Sequence, residues 1–162
     1  MVEFLRASEK DLDKLYKVIR NAFDEDKKKY GSGPEYYEDK NKLKYYLSNL
    51  ISYKAIIDNE IIGGMIIFNL GGGRYRLGAI FIDTEHQNKG IGTKAIEFLE
   101  ETHKDSEVWE LDTPYKNYRD QHFYEKLGYK KVAETVAEKN GFYLFIYEKI
   151  IHRSVFKWKA KA

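Results

Sequence analysis

The sequence predicts a mixed α/β fold of order βααβββαβαββ, with helices on both faces of one sheet, and three observations carry that prediction. Apolar runs at 53–57 and 61–69 flank Asp58-Asn59-Glu60, and the second turns at Gly71-Gly72-Gly73 into a third run at 74–82. Such runs joined by short turns read as consecutive antiparallel strands. A segment with helical spacing lies between that third strand and another at 108–113, so one right-handed parallel crossover is expected. Amphipathic segments also precede and follow this block, which supplies helices for both faces.

Each element has a local reason. Residues 2–6 read as a short strand, and Ser8-x-x-Asp11 is a capping-box start for the first helix. Leu12, Leu15, Tyr16, Ile19 and Phe23 share one helical face. The charged stretch 24–33, ending in Gly31-Ser32-Gly33-Pro34, reads as a solvated loop. Leu43, Tyr46, Leu47 and Leu50 mark a second helix, to which Tyr36-Tyr37 and Tyr45-Tyr46 are also assigned; packing explains these tyrosines better than an acceptor pocket. Ile91, Ala95, Phe98, Leu99 and Thr102 give the third helix its buried face. A helix at 117–127 follows the strand at 108–113 and stops at Gly128. Strands at 129–135 and 142–148 then pair, the second closing the sheet.

Composition bounds the function. With 162 residues, one domain over 1–149 and a basic tail over 150–162 are expected, and the core is large enough to need no staples. Hydrophobic residues at 43% and charged residues at 33% exclude the disordered and membrane classes. A formal net charge of +2 is too small to imply nucleic acid. The chain has no cysteine, which removes disulfides, thiol nucleophiles and Cys-based metal sites; four histidines without H-E-x-x-H spacing give no metal site either. No apolar run nears the roughly 20 residues of a membrane span, and Met1 to Arg6 leads into an acidic helix rather than a signal peptide. A cytoplasmic protein with no membrane and no nucleic-acid partner is the reading. In the tail, Arg153, Phe156, Lys157, Trp158, Lys159 and Lys161 read as a free basic end or a dimer contact, so a homodimer stays open.

Gln87-Asn88-Lys89-Gly90-Ile91-Gly92-Thr93 lies between the strand end Phe81-Ile82-Asp83 and a helix, the arrangement of an anion site. The first amides of a helix lack internal partners and the dipole adds positive potential. Gly90 and Gly92 remove Cβ atoms that would hold a phosphate away, Lys89 adds a point charge and Thr93 a hydroxyl donor. A Walker loop is excluded by the order Gly92-Thr93-Lys94 and by the absence of its first glycine. Gly90-Ile91-Gly92-Thr93-Lys94-Ala95 does read G-x-G-x-x-A, with Asp112 about 20 residues on. A dinucleotide site, however, needs its first glycine directly after the strand and several βαβ units, and here seven residues separate Ile82 from Gly90.

A second motif separates the alternatives. Gln87-x-x-Gly90-x-Gly92 resembles the pyrophosphate loop of the GNAT acetyltransferase superfamily, and residues 117–129, NYRDQHFYEKLGY, resemble its N-x-x-A-x-x-F-Y-E-K-x-G-F segment. Asn117, Phe123, Tyr124, Glu125, Lys126 and Gly128 match; Tyr129 replaces the usual Phe and Asp120 stands where a small residue is common. The resemblance covers roughly residues 4–149 and is weakest at 24–53.

That resemblance implies a fourth and fifth strand that splay apart and an enzyme that transfers an acetyl group from acetyl-CoA to an amine. It implies that pantetheine runs along Phe81, Ile82 and Asp83, whose strand amides polarise the thioester carbonyl. Pyrophosphate would sit on Gln87, Asn88, Lys89, Gly90, Ile91, Gly92 and Thr93. Asn117 would touch the pantetheine arm, and Tyr124 would protonate the departing thiolate; a phenol is neutral at pH 7 and available as a donor. An acyl-CoA sensor of the same fold, without transfer, is the alternative reading. The base stays open among Glu85, His86, Glu110, Asp112 and His122. Strand alternation puts Glu110 and Asp112 on one face, while His122 and Tyr124, two apart on a helix, diverge.

Overall fold

The computed structural model describes residues 1–31 and 34–151. Strands β1 (Glu3–Arg6), β2 (Ile51–Ile57), β3 (Glu60–Gly71), β4 (Arg74–Ile82), β5 (Val108–Pro114), β6 (Lys130–Glu134) and β7 (Leu144–Ile150) form one sheet in the order β1-β2-β3-β4-β5-β7-β6. Helices α1 (Leu12–Tyr30), α2 (Glu35–Glu38) and α3 (Lys40–Asn49) cover one face, where Leu15, Ile19, Leu43 and Leu47 pack on Ile66, Ala79 and Phe81. Helices α4 (Ile91–Thr102) and α5 (Tyr118–Lys126) cover the other, where Ala95, Ile96, Leu99 and Tyr124 meet Met65, Tyr75, Trp109 and Tyr147. The expected mixed sheet, its helices on both faces and its single parallel crossover are all present.

The structure differs from the sequence reading in four places. The charged run after Phe23 is not a loop, because α1 continues through it to Tyr30. Lys27, Lys28 and Lys29 oppose the negative end of the helix, and Gly31, at φ 79°, ends it by returning its N–H to the Lys27 carbonyl. The Tyr37 hydroxyl also donates to Asp24, with Arg20 stacked 4.6 Å from the Tyr37 ring centre, so the charged segment is anchored from outside. Tyr36 and Tyr37 belong to the separate turn α2 and are buried, with Tyr36 edge-on to Phe23 and Tyr46. Lastly, β7 pairs with β6 as expected but inserts between β5 and β6, which leaves β6 as the edge. The sheet also outruns residue 149: Ile151 N–H donates to the Glu107 carbonyl. Tail residues 152–162 lie outside the described residues.

The parallel seam is short. Only Arg74, Arg76 and the intervening Tyr75 register with Val108, Glu110 and Trp109. Past Arg76 the two strands part, although β4 runs to Ile82 and β5 to Pro114. The cause is visible on β4 itself. Ile66 registers with Ala79 but Ile67 with Leu77, so Gly78 is an extra residue facing no partner. Such a bulge bends its strand and swaps its faces. Tyr75 and Leu77 accordingly join the α4/α5 core, whereas Ala79 and Phe81 join the α1–α3 core. A side chain at the bulge would collide with Phe68, whose ring carbon lies 2.5 Å from where a Cβ would stand. Gly78 thus permits the bend that opens the splay.

Candidate active site

Where β4 and β5 separate, no strand divides the two helical layers, and α1 and α5 face the same cleft of about 420 Å³. Its floor is Ile80, Phe81 and Ile82, and one end is the N-terminus of α4. Asp83 N–H donates to the Ile62 carbonyl, so strand alternation turns the backbone groups of Phe81 toward β3 and those of Ile80 and Ile82 toward the gap. The Ile82 carbonyl is taken by the Gln87 side-chain amide at 2.9 Å.

The loop that follows is set by backbone conformation. Asn88 and Gly90 both lie in the left-handed region, at φ 61° and 79°. Gly90 is the N-cap of α4 and carries no side chain to accept from it. The first intrahelical bond runs from Lys94 N–H to the Gly90 carbonyl, which leaves the amides of Ile91, Gly92 and Thr93 unsatisfied by helix or cap. Three free N–H groups at a helix N-terminus can receive an anion. Gly92 has a packing reason as well: a Cβ there would lie 3.1 Å from the Phe123 ring, so its absence lets α4 close on α5.

Arg119 completes this end, and the sequence reading passed over it inside the second motif. Its guanidinium donates to Gln87 Oε1 at 3.3 Å and to Asn88 Oδ1 at 3.1 Å, tying the loop to α5. Gln87 therefore acts as a strut between β4 and α5, and the cleft is lined by Gln87, Asn88, Gly90, Ile91, Gly92 and Thr93. Lys89 is exposed and stands off the cleft wall. Asp83 is also off the wall; its carboxylate caps the turn Thr84–His86 and holds His86 Nδ1 at 2.6 Å.

On α5, Asn117 is buried and serves as the N-cap. Its Oδ1 accepts from Asp120 N–H at 3.1 Å and its Nδ2 donates to Asp120 Oδ2 at 2.9 Å. Tyr124, one turn beyond Asp120, is 6% exposed and lines the cleft. Its ring packs edge-on against Phe123 and Tyr129, and its hydroxyl has no hydrogen-bond partner among the described residues. Burial first, then the neighbouring Asp120, hold the phenol well above its ordinary range, so it stays protonated at any physiological pH.

Among the groups considered as bases, Asp112 is ion-paired with Arg76 in the splay, and Glu110 sits beside Arg74. Glu85 is exposed and off the wall, while His86 and His122 line the cleft. Three carboxyls that the sequence did not single out are also there, Glu25 and Asp26 from α1 and Asp120 from α5. Asp26 was hidden by the loop assignment of its segment. Asp120 was visible only as the mismatch in the second motif. Among the described residues no group of three or more His, Asp or Glu side chains could hold a metal, and no helix is long and apolar enough to cross a membrane.

Comparison with known proteins agrees with this architecture. The chain is similar to YrkN of Bacillus subtilis, 26% identical over 123 residues, covering 73% of this chain and 66% of YrkN. Its fold is similar to the ribosomal-protein-S18-alanine N-acetyltransferase of Escherichia coli, at 15% identity and a TM-score of 0.77, covering 96% of this chain and 97% of that one. It is also similar to the PaiA N-acetyltransferase of Thermoplasma acidophilum, solved in complex with coenzyme A, at 22% identity and a TM-score of 0.74, covering 93% and 99%. A family model described as the acetyltransferase (GNAT) family matches residues 12–129, which span the splay, the glycine loop before α4 and α5. The chain belongs to the GNAT acetyltransferase family.

Proposed function

We propose that this protein is an N-acetyltransferase that moves an acetyl group from acetyl-CoA to a primary amine by direct attack in a ternary complex. The observation that carries the reading is one cleft holding both a bare helix N-terminus and an unbonded, buried tyrosine hydroxyl. The amides of Ile91, Gly92 and Thr93 suit a pyrophosphate, and Arg119 adds a cation beside them. The backbone of Ile80 and Ile82 suits the amides of a pantetheine arm and can polarise the thioester oxygen as charge builds on it. Tyr124 is the acid for the thiolate, because its unbonded hydroxyl lines the cleft and is protonated at neutral pH. The coenzyme A complex of a protein with the same fold supports the choice of donor. The domain, whose sheet runs through Ile150, acts as one catalytic unit in the cytoplasm.

The test is release of CoA from acetyl-CoA over a panel of primary amines, with the acetylated product confirmed by mass. Thermal shift with acetyl-CoA, CoA and NAD accompanies it. Turnover with at least one amine supports the reading. Acetyl-CoA binding without turnover of any amine moves it to an acyl-CoA sensor, and NAD binding alone overturns it.

A further inference from the structure

Asp120 is the residue in this cleft whose presence the family segment does not explain, since a small side chain is common in its place. As the third residue of α5, its N–H is used by the Asn117 cap, and Oδ2 is used by the Asn117 amide. Its Oδ1 has no hydrogen-bond partner among the described residues. One turn on, at the i+4 position of the same helix face, stands the unbonded Tyr124 hydroxyl. Across the gap, Asp26 of α1 approaches closely enough to act on Asp120 electrostatically.

We infer that Asp120 is the base that takes the proton of the acceptor's ammonium group and passes it on to Tyr124, an assignment that rests on the transferase reading above. The step balances. The ammonium gives one proton to Oδ1 of Asp120, and the neutral amine attacks the thioester carbonyl carbon. Collapse breaks the C–S bond, and the thiolate takes the Tyr124 proton as the new C–N bond is completed. The nitrogen then loses its second proton to water, and Asp120 restores the Tyr124 phenol through a water between them, since the two side chains are not hydrogen-bonded to each other. Amine and acetyl-CoA have become amide and CoA thiol, with one proton released.

The groups around Asp120 set its affinity for that proton. From α1 come Asp26, flanked by Glu25 and Lys29; from the loop, His86; and from α5 itself, Arg119, His122 and Lys126. Burial first, then the Asp26 charge, push the Asp120 carboxyl up to about 6, against Arg119 and the Asn117 hydrogen bond, which pull it down. A carboxylate so raised is a better match to an ammonium than an ordinary one, and it is still deprotonated at neutral pH.

The bland role for Asp120 is as an ordinary partner of the helix cap, and Asp120→Asn separates the two. The amide keeps an acceptor for Asn117 Nδ2 but cannot take a proton. In the full chain, with the best amine of the panel, kcat/KM of the wild type should rise with pH through about 6. Asp120→Asn should lose roughly 100-fold at pH 7, together with that acid limb, while calorimetry shows acetyl-CoA binding at least as tight. Asp26→Asn, which disturbs no cap, should move the limb to lower pH. An Asp120→Asn enzyme that keeps the wild-type pH profile overturns the inference, as does an unmoved limb in Asp26→Asn. Wild-type protein that turns over no amine defeats the transferase reading instead.

Discussion

The two ends of the β4–β5 seam are built from the same pair of strands and have opposite character. At the paired end, Tyr75 stacks on Trp109 with ring centroids 5.0 Å apart, His103 packs on both rings, and the Tyr75 hydroxyl donates to Asp105. At the open end, backbone amides, a phenol and the carboxyls of Glu25, Asp26 and Asp120 face a cleft. One end spends its side chains on burial; the other leaves polar groups unsatisfied where a ligand can satisfy them. The difference teaches that a three-residue parallel pairing and one bulge are enough to separate a stability region from a chemical one.

The largest effect is expected at the paired end. Trp109 is 1% exposed, and Trp109→Ala removes the centre of its aromatic stack, so denaturant unfolding should show a loss of about 3–5 kcal/mol. A loss under about 1 kcal/mol would break the comparison, because the paired end would then not be the anchor. Tyr124→Phe, at the open end, should do the reverse. It removes an unbonded hydroxyl, so acetyl-CoA binding and stability persist while kcat falls roughly 10- to 100-fold, or about 1.4–2.7 kcal/mol. An unchanged kcat in burst-phase kinetics, which isolate the chemical step, rejects Tyr124 as the acid.

Smaller effects sharpen the picture of the loop. At Gly90 there is open space for a Cβ but φ is 79°, so Gly90→Ala should cost about 1 kcal/mol of stability through backbone strain. It should also weaken acetyl-CoA by displacing the amides that follow it. Full wild-type affinity by calorimetry would remove Gly90 from the anion site. Gly92→Ala should instead act through Phe123, and a second substitution Phe123→Leu should relieve it in the same assay.

The smallest effect is a gain. The fold raises the Asp120 carboxyl to about 6, so the native state prefers it protonated. That preference stabilises the fold at low pH and is lost as pH rises through about 6. Asp120→Asn should therefore be more stable than wild type at pH 7.5, on the order of 1 kcal/mol, and level with it at pH 4. Equal melting temperatures at both pH values would show that the carboxyl is not strained by its site.

Legibility followed the same divide. The sheet, the crossover and the glycine turn into α4 were readable because each rests on local signals: alternation, helical spacing and paired glycines in a strand–helix context. Gly90 does adopt the left-handed turn at the start of α4, whereas the packing reason for Gly92 needed Phe123, a residue 31 positions away. The run Asp24–Lys29 was misread because charge density resembles a loop, while the Tyr37 and Gly31 bonds that fix it as helix are tertiary or conformational. Asp26 and Asp120 come together across two layers, and no periodicity of either helix reveals that the other is near. The strut role of Gln87 was likewise out of reach, since its partners are a backbone carbonyl and Arg119 of another element.

An unpaired strand margin is ordinarily a hazard, because free backbone donors and acceptors invite another chain to add to the sheet. This molecule has such a margin in its interior, along β4 beyond Arg76, roofed by α1 on one side and α5 on the other. Enclosure changes its meaning. A stranger's strand cannot reach it, yet a slender molecule carrying amides can lie along it and complete the ladder. The amides of Ile80 and Ile82 should consequently exchange with solvent deuterium quickly in the free protein and slowly with CoA bound, while those of Tyr75 stay protected throughout.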